Sequence, residues 1–170
     1  RARDEFQRVV AVDDTSAQNW IDLAYAYHQL KRPDNELQCY KVGLNKVRSN
    51  ADSLRLTFAL GAYYEQQGNV PDAVAAFEAI LKVDSMQHQA LNYLGYMLAD
   101  RGERLDYARS LIERALHLQP TNAAYIDSYG WVFYRLGMYE EALQQLEKAA
   151  GMVADPTVFE HLGDAYKATH

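Results

Sequence analysis

The feature that most constrains this chain is that it repeats itself. A leucine or tyrosine, a small residue and then aromatic or apolar residues recur as Leu23-Ala24-Tyr25-Ala26-Tyr27, Leu60-Gly61-Ala62-Tyr63-Tyr64, Leu94-Gly95-Tyr96-Met97-Leu98, Tyr129-Gly130-Trp131-Val132-Phe133 and Leu162-Gly163-Asp164-Ala165-Tyr166. The small residues are 37, 34, 35 and 33 residues apart. Seven residues after three of them stands a second glycine, Gly68, Gly102 or Gly137; then comes an alanine, Ala73, Ala108 or Ala142, and four residues later a bulky one, Phe77, Ile112 or Leu146. A period of this length means one supersecondary unit that cannot bury its apolar face alone and stacks on copies of itself.

The unit reads as two helices and a turn. Apolar residues follow helical spacing, as in Phe77, Ile80 and Leu81 or Leu111, Ile112, Ala115 and Leu116. Gly61, Gly95, Gly130 and Gly163 cost helix propensity, roughly 1 kcal/mol each, which close approach of a second helix would offset. Gly68, Gly102 and Gly137 sit where a first helix ends and predict a left-handed residue there. With 4 Pro and 9 Gly in 170 residues, little material is left for a many-turned β fold.

These residues and the period near 34 resemble the tetratricopeptide repeat (TPR), most strongly from Ala90 to Pro156. The resemblance divides the chain into a half repeat at 1–14, a degenerate repeat at 17–50, repeats at 54–86, 88–121 and 123–155, and a half repeat at 156–170. Ala2, Phe6, Val9 and Val10 match a second helix lacking its first, and 159–170 match a first helix lacking its second. The repeat at 17–50 departs from the pattern: Lys31 replaces the turn glycine, Glu36 or Leu37 the alanine, and Gly43 falls inside a helix, so looser packing is expected there. The implied fold is an all-α, right-handed superhelical solenoid of antiparallel helix pairs, with first helices lining a concave groove.

Carried onto this sequence, the family's groove positions include Tyr25, His28, Phe58, Asn92, Tyr96, Asp100, Asp127, Trp131, Tyr134 and Arg135, an aromatic and mildly acidic set. Tyr25, Tyr96 and Trp131 share one register. Trp and Tyr are enriched at binding hot spots, although aromatics at helical spacing equally serve packing. A clamp for a partner's terminal carboxylate, known in this family, needs Lys, Arg and Asn where this chain has Ile21, Tyr25, Asn92 and Asp127. Only Asn92 fits. An extended apolar or basic protein segment is the expected ligand.

Other chemistry is not signalled. The net charge of −6 and pI near 5.3 disfavour a phosphate-neutralising surface, so no nucleic-acid partner is expected. Cys39 is the sole cysteine, and reads as a packed small residue. His28, His88, His117, His161 and His170 lack metal-ligand spacing and read as surface or turn residues; no metal or cofactor is expected. Asp127 with Ser128 reads as a polar pair in the groove. No catalytic motif is present, so an enzyme is not expected. The acidic residues Asp72, Asp106, Glu140 and Glu141 begin second helices, where the dipole favours them. No apolar run approaches the ~20 residues of a membrane helix, and the N-terminus resembles neither a signal peptide nor an initiator methionine, as in a piece of a longer protein.

The expected function is a protein-binding scaffold without catalysis. The stretches Leu94 to Gly102 and Asp127 to Gly137 are similar to bacterial TPR proteins, some of them outer-membrane lipoproteins that act as envelope adaptors. The recognition arm of a larger enzyme and a spacer or oligomerisation segment are the alternatives. Localisation stays open between periplasm or outer membrane and cytoplasm. The unpartnered faces at the two ends predict self-association.

Overall fold

The computed structural model describes residues 2–169, and every regular element among them is an α-helix. Arg1, His170 and the side chain of Ala2, used in the sequence reading, lie outside the described residues. The chain forms two compact units, the first through Val83 and the second from Asp84.

The first unit holds α1 (Ala2–Val12), α2 (Ala17–Gln29), α3 (Pro33–Lys46), α4 (Asn50–Gln66) and α5 (Val70–Val83). Helix α2 packs on α3 and α4 on α5. Trp20, Leu23, Tyr27, Cys39, Tyr40, Leu56 and Tyr63 form its core. The start of α4 lies four residues ahead of the expected repeat boundary. Ser49 explains this: its Oγ accepts from the Asp52 backbone N–H at 3.0 Å, satisfying one of the free donors of a helix start.

The second unit holds α6 (His88–Arg101), α7 (Leu105–Leu118), α8 (Ala123–Arg135), α9 (Tyr139–Ala150) and α10 (Pro156–Thr169). Helices α6 and α7 pair, as do α8 and α9, and α10 lies on α9 and α8. Leu91, Leu94, Leu111, Ile112, Ile126 and Leu146 are fully buried, each worth roughly 1.5–3 kcal/mol of transfer free energy. Helices α6, α8 and α10 start on side-chain acceptors: Gln87 Oε1, Asn122 Oδ1 and Asp155 Oδ1 each receive a backbone N–H.

The two glycine roles are met in different degrees. Gly68, Gly102 and Gly137 have φ of +73°, +70° and +77°. After Gly102, the Glu103 N–H closes the turn on the Leu98 carbonyl at 2.9 Å. Lys31 forms the same turn with φ +54°, and Arg32 N–H reaches Tyr27 O at 3.0 Å. A residue with a Cβ therefore occupies the left-handed position, at a cost of about 1–2 kcal/mol. A Cβ on Gly95 or Gly130 would stand 2.6 Å from Ile112 or Leu146, and one on Gly61 3.0 Å from Phe77.

The degenerate repeat is not loosely packed. A Cβ on Gly43 would lie 2.7 Å from Trp20 Cγ, so this glycine makes room for the indole, whose Nε1 donates to the Asp14 carbonyl at 2.8 Å. Large-to-small exchange across the helix pair keeps the packing closed.

Candidate functional site

In the second unit the repeat places equivalent residues of the first-type helices side by side. Asn92 on α6 and Asp127 on α8 stand three residues before their glycines, and Tyr96 and Trp131 one residue after. A cavity of about 470 Å³ opens on this face, lined by Asn92, Tyr96, Asp127, Val153, Asp155 and Val158 among others. Asn92 Oδ1 is out of solvent and, among the described residues, receives no hydrogen bond. Helix capping by Asn122 and Asp155 thus also shapes one rim of the cavity.

Trp131 is not free for a ligand. It is 8% exposed, with its ring stacked on His161 at 4.1 Å and 15°, and on Tyr134 at 4.9 Å and 8°. Its Nε1 donates to Asp100 Oδ1 at 3.3 Å. Arg135 is engaged as well, donating from Nη1 to the Asp100 carbonyl near the end of α6, with its guanidinium carbon 5.8 Å from the Trp131 ring. A Cβ on Gly102 would meet Arg135 Nη2 at 2.9 Å, so the turn glycine also leaves space for that arginine. Of the predicted set, Trp131 and Arg135 of α8 reach Asp100 of α6, while Tyr134 stacks on Trp131 within α8 and meets Tyr139 of α9.

His161 corrects the surface reading of the histidines: it is 5% exposed. Its Nδ1 lies 3.1 Å from both oxygens of Asp127, itself 6% exposed. A carboxylate can only accept, so Nδ1 carries the shared proton. Its ring is also 6.0 Å from that of the half-buried Tyr96. Asp127 and Ser128 are not a pair, since Ser128 Oγ donates to the Ala124 carbonyl at 2.9 Å. His161 stands two residues before Gly163, in the register of Tyr93 and Ser128. Nothing in the repeat marks that position, and a histidine buries there because α10 brings it onto a tryptophan and a carboxylate together.

In the first unit, Tyr25 is 61% exposed and stays on the solvent side of α2. His28 turns to α3, its Nδ1 3.1 Å from Glu36 Oε2, and Phe58 packs edge-on against Phe77 of α5 at 5.3 Å. Glu36 is buried at 5% exposure. Burial and then the charge of Glu36 push the Cys39 thiol up to about 12, and the same two causes raise Tyr40. Such a thiol is a packing group rather than a nucleophile. Among the described residues, no three His, Cys, Asp or Glu side chains gather as a metal site, and no helix is long and apolar enough to cross a membrane.

Two models of the tetratricopeptide repeat match the sequence, one over residues 58–123 and one over 17–41. This chain is a tetratricopeptide-repeat protein. A TPR repeat-containing protein of Pseudomonas aeruginosa is 29% identical to it over 135 residues, which are 79% of this chain and 23% of the relative. The TPR chain here thus spans about a quarter of that relative. Among solved structures, a chain of the APC/C hetero-tetramer Cut9-Hcn1 superposes with a TM-score of 0.81 at 19% identity, covering 98% of this chain and 33% of that one. The MamA protein superposes at 0.68 and 18% identity, covering 89% and 80%. These likenesses establish the all-α TPR solenoid fold, one that typically serves as a non-catalytic scaffold for proteins or peptides.

Proposed function

We propose that this TPR chain is a scaffold that holds an extended apolar or basic segment of a partner protein, without catalysis of its own. The observation that carries this reading is the cavity between α6, α8 and the start of α10, with Asn92, Tyr96 and Asp127 among its lining residues. Apolar walls with a few placed polar groups are the common make-up of a recognition site. The exposed Tyr25 extends the proposal to the first unit, as a rigid amphipathic ring of the kind that anchors interfaces. A bacterial envelope adaptor is the setting proposed, on the resemblance of Leu94 to Gly102 and Asp127 to Gly137.

The test is a selection from a random peptide library on the immobilised chain. Selected peptides should bind Tyr96→Ala at least about tenfold more weakly, while its melting stays close to the parent's. Peptides held equally by parent and variant would move the site off this face. Trp131→Ala does not serve as the variant, because its burial against His161 makes its loss a loss of folding.

A further inference from the structure

We infer that the cavity of the second unit receives the guanidinium of an arginine carried by the partner segment. This rests on the reading that a partner lies on the face of α6 and α8. Among the described residues, Asn92 Oδ1 is the buried side-chain atom left without a hydrogen-bond partner, and it belongs to a residue lining the cavity. Buried acceptors are normally satisfied, so this one marks a place where a donor is missing. Asp127 lines the same cavity, and among the described residues His161 Nδ1 is the partner its oxygens have. A carboxylate offers about four lone-pair sites, which leaves acceptor capacity unused. Asp155 adds a third acidic or amide acceptor, with one oxygen taken by the Thr157 N–H at 2.8 Å.

No Lys or Arg is among the lining residues. The site is therefore acceptor-rich and uncompensated by any fixed cation, in a chain of net charge −6. A cation is the complementary guest. Arginine fits better than lysine because the acceptors come from separate helices, and a planar fork with five donors can reach more than one of them. Its weakly hydrated face also suits walls made by Tyr96, Val153 and Val158. The cavity volume of about 470 Å³ accommodates the head group and its stem.

The experiment titrates the ¹⁵N-labelled chain with three probes: N-acetyl-arginine methylamide, its citrulline counterpart and its leucine counterpart. Citrulline keeps the shape and loses the charge. The arginine probe should shift the Asn92 side-chain amide and the backbone signals of α6 and α8. Citrulline should bind at least about fivefold more weakly, since charge-assisted bonds are the stronger ones. Asn92→Leu should lose arginine binding while melting at or above the parent temperature, because it removes a buried orphan acceptor. Equal binding of arginine and citrulline overturns the inference, as does undiminished binding by Asn92→Leu. Leucine alone shifting these signals also overturns it, and leaves the partner-binding face standing. If no probe shifts them the inference falls, and the fate of the face itself is then read from the library-selected peptides and Tyr96→Ala.

Discussion

Gly95 and Gly163 hold the same place in their repeats and differ in what surrounds them. A Cβ at Gly95 would meet Ile112 at 2.6 Å and the Ala108 carbonyl oxygen at 2.9 Å, while one at Gly163 would meet nothing within 4 Å. Alanine improves helix propensity by about 1 kcal/mol at either site. At Gly95 the overpacking, about 1–3 kcal/mol, is set against that gain, and backbone on the far side cannot yield. Gly95→Ala should therefore lower stability, and Gly163→Ala raise it by about 0.5–1 kcal/mol. Urea melts of the two variants beside the parent decide this, and equal shifts would mean that helix approach is not what selects glycine. The sequence is legible at this scale through its spacing, which marks both glycines alike. Spacing does not say which of them has a helix against it, because that depends on a neighbour and not on the residue.

Between elements, contacts form from residues that the repeat does not set. Arg109 and Glu113 pair along α7 at 2.9 Å, and Tyr129 of α8 donates to the same Glu113 oxygen at 2.8 Å. Burial works to raise the Glu113 carboxyl, yet the hydrogen bonds from Tyr129 and Arg109 outweigh it and hold the group below its ordinary 4.5. A depressed folded value stabilises the fold fully above the unfolded value, and the stabilisation is lost as pH falls through the folded one. Tyr129→Phe removes a donor to a charged group that is 42% exposed and screened by solvent, and should cost about 0.5–1 kcal/mol at pH 7. At a pH well below 4.5 the parent and variant should converge; a difference that persists in acid would assign Tyr129 to packing instead. His161, Asp127 and Trp131 show why such sites stay hidden in a sequence. Each residue is ordinary for its helix, and the stack exists because α10 lays His161 against two residues of α8. That Tyr96 and Asn92 share a face of α6 is readable from register, whereas the burial of Trp131 is not, since exposure depends on the side chain that happens to cover it.

At the scale of the whole molecule, the period makes an all-α repeat array legible from sequence, and the structure shows which apolar surfaces the first and last described helices of this 170-residue chain leave exposed. Helix α10 is a first-type helix, and the seat over Gly163, filled over Gly130 by Leu146, is open. Phe159 and Tyr166 flank it at 50% and 39% exposure. Helix α1 has second-type spacing, and its Val9 and Val12 are exposed at 43% and 89%. Phe6 follows Ala2 by four residues, as Leu146 follows Ala142. One chain thus carries a seat for a second-type helix and a helix of that type with an uncovered face. Apolar surface of this kind is removed from water when copies meet head to tail, at roughly 25 cal/mol per Å², and a heterologous contact of this sort does not close on itself unless its rotation allows. The 170-residue chain should therefore associate with rising concentration, in light scattering, without a fixed end point at the dimer. Phe159→Glu places a charge in the seat and should shift the association to at least about tenfold higher concentration, leaving helicity unchanged. A parent that remains monomeric across the dilution series removes the idea, and association that survives Phe159→Glu removes α10 from it. The two results separate a sticky helix face from a sticky molecule.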